Sequence, residues 1–256
     1  MSLLTSLVSY WKLDEASGNA LDAHGSNDLT DNNTVGAGTG IINNGRDFDE
    51  ASREYFSKSD NADLSTGDID FTFQAWIKPE TIARNAYDTV IAKWSGSNLE
   101  YLLYFYETAL FAPGGQSKKV IFAVSNDGSA STLVVASTFG DLSAGTWYCV
   151  HGWHDSVNNQ IGISVNAGTA DTAAHTTGVR DGTATFEIGR NVDDGSGGVM
   201  NGLVDEVGFW KRVLTSGERT SLYNGGSGLP YSSFGGGSFQ SAWARNSNVV
   251  MGASAA

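Results

Sequence analysis

The chain has 256 residues and a formal net charge of −13, from 28 Asp plus Glu against 15 Lys plus Arg, so no basic stripe exists to displace counterions from a phosphate backbone and nucleic acid is argued against as a partner. One cysteine, Cys149, excludes an internal disulfide framework, and the most apolar run, residues 101–112, is too short and too interrupted by Glu107 to span a bilayer. This length suffices for one domain with a full core.

With 32 Gly, 3 Pro, 12 Phe, 9 Tyr and 7 Trp, the composition favours many short strands joined by Gly-based turns. Residues 1–14 carry their only basic side chain, Lys12, at the wrong end for a signal peptide, so the chain is read as starting on a strand, without a leader. That apolar alternating stretch, beginning at Leu7, runs into a loop crowded with Asp, Asn and Gly. "FTFQAWIKP" then places Phe71, Phe73, Ala75 and Ile77 on one face and Thr72, Gln74, Trp76 and Lys78 on the other, before Pro79 ends the pairing. Two β-rich runs flank Asn126-Asp127-Gly128, which is hairpin chemistry. "TWYCVHGWHD", "NQIGISVNAG", "ATFEIGR" and "GLVDEVGFWKR" are further strands at sandwich spacing.

Thr215-Ser216-Gly217-Glu218 has the form of a capping box and predicts a short helix over 216–223, closed by Asn224-Gly225-Gly226. Three glycines at 235–237 read as a flexible joint. The expected architecture is therefore all-β, with strands at sandwich spacing over residues 1–231, one short C-terminal helix and an extended C-terminal tail over 232–256. No internal repeat of fixed period suggests a propeller or solenoid.

In order, these pieces resemble the laminin-G-like group (LamG-3 or pentraxin-like) of the concanavalin A-like jelly rolls. "LVSYWKLDEASGNALDAHGSNDL" looks like the opening strand and Asp/Gly loop, "GRDFDEASREYFSK" the next strand pair, and "DFTFQAWIKP" the aromatic core strand. "AGTWYCVHGWHD" with "IGISVNAG" looks like the paired back strands, and "IGR" at 188–190 with "NGLVDEVGFWKRVLTSGERTSLYNGG" the closing signature. The resemblance spans roughly residues 7–226 and implies two twisted sheets packed face to face. That fold hosts lectins, adhesion modules and glycosidases, so function rests on the site.

The glycanases of the superfamily use a Glu-x-Asp-x-Glu-like cluster, which this sequence lacks. Of the nearest acidic sets, Asp47/Asp49 read as solvated, Asp68/Asp70 offer no such cluster, and Asp205 and Glu206, being adjacent on a strand, are expected on opposite faces. His151 and His154, three apart, likewise fall on opposite sides, and Cys149 reads as a small buried residue. No enzyme is expected.

The opening loop is richer. Asp22, Asn27 and Asp28, with carbonyls around His24 and Gly25, offer the hard oxygens that Ca²⁺ prefers. In related jelly rolls calcium ties such a loop to an acidic residue on the last strand, which the resemblance matches to Asp205. The competing reading is Asx turns. Asp193 and Asp194 sit in a second acidic loop where family members place ligand contacts, and Trp94, Tyr87 and the tyrosines of 101–106 are candidate platforms for sugar rings, most of them needed in the core.

The expected role is a non-enzymatic structural or decoration protein of a virus or phage particle, made in the host cytoplasm, with a lectin-like jelly roll that binds cell-surface glycans. The tail would supply its attachment: Phe239, Trp243, Val249, Val250 and Met251, in a segment with Arg245 as its only charge, suit an extended peptide docking on another copy or on a capsid or tail shell. The alternatives are a bacterial carbohydrate-binding or adhesion module at the cell surface, and a glycan hydrolase or lyase with a nonstandard site.

Overall fold

The computed structural model describes residues 2–84, 86–108, 116–192 and 198–235. In chain order the strands are β1 (Leu7–Trp11), β2 (Thr30–Asn32), β3 (Gly36–Thr39), β4 (Asn44–Phe48), β5 (Tyr55–Lys58), β6 (Phe71–Pro79), β7 (Tyr87–Ser95) and β8 (Asn98–Tyr106). There follow β9 (Val120–Val124), β10 (Thr132–Val135), β11 (Tyr148–Asp155), β12 (Gln160–Val165), β13 (Asp171–Ala174), β14 (Phe186–Ile188), β15 (Gly202–Trp210) and one helix, α1 (Ser216–Tyr223). They form two antiparallel sheets. The first has the order β13-β12-β11-β6-β15-β4-β3, with β1 also on β15; the second runs β10-β9-β8-β7-β14-β5-β2.

Alternation builds the core between them. Phe71, Phe73, Ala75 and Ile77 of β6 are all fully buried there, and the Phe73 ring stacks on Phe209 with centroids 4.4 Å apart. From the second sheet come Ile91, Tyr101, Leu103, Phe105, Phe122 and Phe186. The Asn126-Asp127-Gly128 turn joins β9 to β10 as expected: Gly128 takes φ +85°, and Asp127 Oδ1 accepts the N–H groups of Ser129 and Ala130 at 2.8 and 2.9 Å.

The other face of β6 is also buried, which alternation alone did not require. Thr72, Gln74 and Trp76 are all buried there: Thr72 Oγ1 donates to the Arg212 carbonyl and accepts the Leu214 N–H ahead of α1, Gln74 Nε2 donates to the Glu206 carbonyl, the Trp76 ring stacks on Tyr223 at 5.7 Å, and the Arg219 guanidinium lies 4.4 Å from the Trp153 ring. The helix starts where its capping box placed it. Glu218 N donates to Thr215 Oγ1 at 3.2 Å and Thr215 N donates to Glu218 Oε2 at 2.9 Å, a pairing that contributes about 1 kcal/mol.

A second apolar cluster, Leu3, Leu7, Tyr10, Trp210, Leu214, Leu222 and Phe234, closes this side. Phe234 is fully buried and its ring meets Tyr10 edge-on at 4.9 Å. The packed body therefore continues past the expected boundary at Tyr231 to Phe234, because an aromatic ring this close to Tyr10 and Trp210 completes their burial.

Candidate functional site

On the outer face of the second sheet, cross-strand register aligns Thr30 with Ser57 and Ser57 with Glu187. Their inward neighbours Phe56, Phe186 and Ile188 are core, so these three polar side chains share the outward surface. They floor a groove of about 600 Å³. Tyr55, Arg190 and Asp28 rim it. The Arg190 guanidinium lies 3.4 Å from the Tyr55 ring centroid and donates to Glu187 Oε1 at 2.5 Å. Stacking and ion pairing together fix a planar array of N–H donors beside an aromatic ring and hydroxyls. Such a surface matches the alternating hydroxyls and apolar ring face of a sugar. Past Glu187 the same row turns apolar through Ala92, Leu102, Ala123 and Leu133. Trp94, expected as a sugar platform, is half-buried against this apolar patch beside Tyr87, Tyr104 and Tyr106, whereas Tyr101 belongs to the core.

Arg190 and Val192 of the acidic loop line the groove. Asp193 and Asp194 lie outside the described residues, as do Phe239, Trp243, Val249, Val250 and Met251. Tyr55, Glu187 and Arg190, which line this groove, were not among the residues expected at a site. "FEIGR" reads as a strand that runs into the closing signature, and the signal available was an outward Glu three residues from an Arg.

The first sheet carries a different arrangement on its outer face. Asp205 and Glu206 do not point to opposite faces. Glu206 has φ +48° and the register against β6 shifts between Asp205 and Gly208, so a bulge adds a residue and both carboxyls end up buried on the outer side. Burial, then the neighbouring Glu206 charge, pushes Asp205 up to about 8; burial does the same to Glu206, also to about 8, against the Tyr10 hydroxyl that donates to its Oε2. Glu206 borders a cavity of about 210 Å³ together with Lys12, Asp14, Asn43 and Tyr231. Burial thus favours the protonated form of both carboxyls of this bulge. The nearby Cys149 is buried, which raises its thiol well above the ordinary range and leaves it no thiolate for nucleophilic work.

The residues expected to hold calcium make hydrogen bonds within the protein. Asp22 accepts the N–H groups of Tyr10, His24, Gly25 and Asn27 at 2.9–3.0 Å; burial opposes its ionisation, and these four bonds outweigh it to lower its pKa. Asn27 donates to Ser9 Oγ at 2.9 Å, Asp28 accepts the Asp22 N–H, and His24 Nδ1 hydrogen-bonds the Tyr231 hydroxyl. Asp205 accepts from the N–H groups of Ile41, Ile42 and Glu206 instead. The two carboxylates thus tie down separate segments, and among the described residues no group of three or more His, Cys, Asp and Glu gathers to hold an ion. Oxygen-rich loops of this kind look the same in sequence whether their carboxylates face a cation or their own backbone.

His151 and His154 do fall on opposite faces. His151 is fully buried; desolvation, then the Arg219 charge, lowers it to about 3 and keeps it neutral. His154 Nδ1 lies 2.7 Å from the Ile69 carbonyl oxygen, and its ring meets His175 edge-on at 5.6 Å. Asp47 and Asp49 are exposed, as their flanking of Phe48 implied.

A family model described as the concanavalin A-like lectin/glucanases superfamily, Laminin_G_3, matches residues 51–218. No curated protein sequence matches the chain. Among solved structures, the binding domain of Paraclostridial Mosquitocidal Protein 1 aligns with a TM-score of 0.67 at 12% identity, over 86% of this chain and 52% of that one. The binding domain of Botulinum Neurotoxin DC, in complex with SialylT, aligns at 0.64 and 12%, over 88% and 52%. This chain thus spans about half the length of those two toxin domains. Domain 4 of AbnA, a GH43 extracellular arabinanase from Geobacillus stearothermophilus, in complex with arabinotriose, aligns at 0.61 and 16%, over 84% and 97%. At these identities the likeness establishes the shared jelly-roll fold.

Proposed function

The chain belongs to the concanavalin A-like lectin/glucanase superfamily, and from that premise we propose that it is a non-catalytic, glycan-binding jelly roll whose site is the groove on the outer face of the second sheet. The observation that carries this reading is the Tyr55–Arg190–Glu187 array: an aromatic ring, a fixed guanidinium and a carboxylate beside the hydroxyls of Thr30 and Ser57. Glu187 is held by Arg190, which donates to its Oε1 at 2.5 Å, and Asp28 is the other carboxylate that lines the groove. The arabinotriose bound to the arabinanase domain of like fold supports a short oligosaccharide as ligand class.

Single-site affinity on an open groove is weak, and display of many copies raises it by avidity. A virus or phage particle is the proposed setting, with residues 238–256 as the attachment segment on another copy or on a capsid or tail shell. A glycan array probed with multimerised protein is expected to give hits that Tyr55→Ala and Arg190→Ala each weaken about tenfold or more. Hits that both variants leave unchanged would move the site elsewhere, and an empty array would remove the lectin reading. Copurification with purified particles tests the setting, and loss of that association on truncation after Gly235 tests the tail.

A further inference from the structure

Independently of the groove, the geometry points to a covalent modification: we propose that Lys93 and Asp60 form an intramolecular isopeptide bond, with Glu100 as the proton-transferring catalytic residue. Lys93, on β7, has no exposed side-chain surface. Its Nζ stands 3.0 Å from Asp60 Oδ1 in the loop after β5, 2.5 Å from Glu100 Oε2 on β8, and against the Gly182 carbonyl oxygen. Tyr101, Phe186 and Leu64 pack beside these segments; Tyr101 donates to the Leu64 carbonyl at 2.7 Å, and Phe186 pairs directly with Lys93 across the strands.

The three groups differ in a way that assigns their roles. Glu100 is locked: Oε1 accepts Thr66 N–H at 2.6 Å and the Thr66 hydroxyl at 2.8 Å, and Oε2 accepts Gly182 N–H at 3.0 Å as well as Lys93. Burial raises its pKa, with Lys93 opposing, so it accepts and returns a proton more readily than an exposed carboxylate. Asp60 Oδ1 accepts from Ser65 Oγ at 3.1 Å besides facing Lys93, and the Asp60 side chain is 32% exposed. A carboxyl there has room for its carbon to be attacked and an open path for water to leave. The Gly182 carbonyl oxygen takes one N–H of Lys93, which aims the nitrogen lone pair.

The reaction balances without a co-reactant. Glu100 first moves one proton from the Lys93 ammonium to the Asp60 carboxylate; the free amine so formed attacks the Asp60 carboxylic acid at Cγ and the new C–N bond forms. Glu100 takes a proton from that nitrogen and gives it to the departing Asp60 oxygen, the C–O bond breaks, and one water leaves. An ammonium and a carboxylate become a neutral amide and water. Proximity supplies the rate, because the nitrogen is already beside the carboxyl group. Burial supplies the direction, because the amide removes the desolvation cost of a fully buried ammonium.

Intact-mass spectrometry of the denatured full-length chain decides the matter. The expected mass is one water below that of the sequence, with a proteolytic peptide linking the segments around Lys93 and Asp60 and no tryptic cut after Lys93. Lys93→Ala and Asp60→Ala should each restore the full mass for their sequence, and Glu100→Gln should leave the residues unjoined. An unshifted wild-type mass overturns the proposal. So does a missing water that maps to a succinimide at Asp127-Gly128 or Asp181-Gly182, or to a Lys93–Glu100 link, because each of these assigns the dehydration to other atoms.

Discussion

The outer faces of the two sheets carry similar polar residue types and meet different fates. On the first sheet the chain covers its own surface with α1 and the segment ending at Phe234, so Asp205, Glu206, Gln74 and His151 are buried. On the second sheet Thr30, Ser57 and Glu187 floor an open groove beside Arg190 and Tyr55. On the first face burial favours proton uptake by the carboxyls, and on the second the buried Glu187 carboxylate is paired with Arg190. A polar strand face therefore becomes a site only where the rest of the chain leaves it uncovered.

The comparison breaks most visibly at the covering segment. Phe234→Ala should cost about 3–5 kcal/mol, read as a lowered urea midpoint, because it opens a cavity against Tyr10 and Trp210. A change under about 1 kcal/mol would show that the first face does not depend on its cover.

The buried acid pair comes next. Asp205 and Glu206 have folded-state values near 8, above ordinary unfolded carboxylate values of about 4. Their raised values mean that stability is fully present below the unfolded pKa and is lost as pH rises toward the folded one, so unfolding free energy should fall between about pH 4 and pH 8. Glu206→Gln should flatten this decline and be more stable than the parent at pH 8, by up to about 4 kcal/mol. A parent whose stability is level across that window would contradict the buried-proton account.

Thr215→Ala removes half of the capping box that anchors the cover and should cost about 1 kcal/mol, measured by thermal melting. On the open face, Tyr55→Ala should change stability by less than about 0.5 kcal/mol while lowering glycan affinity, which separates binding from folding. The smallest effect is reserved for calcium. Because Asp22 is occupied by four backbone N–H groups, melting in excess Ca²⁺ and in chelator should coincide, and a calcium-dependent rise abolished by Asp205→Ala would restore an ion to that loop.

The sequence by itself determined the strands of the core, the 126–128 hairpin and the helix at 216–223, because each is set by local rules: side-chain alternation, turn residues with positive φ, and a capping box three residues wide. It also marked Cys149 as buried and separated His151 from His154. Tertiary structure decided the rest. The Asp205/Glu206 bulge breaks alternation only because β15 must pair with β6 on both sides of an extra residue, and no local pattern announces that shift. The groove joins residues from β2, β5 and β14, whose neighbourhood exists only once register is fixed. Whether Asp22 and Asp205 faced a cation or the backbone, and whether Thr72, Gln74 and Trp76 faced water or a helix, depended on which distant segment came to lie against them.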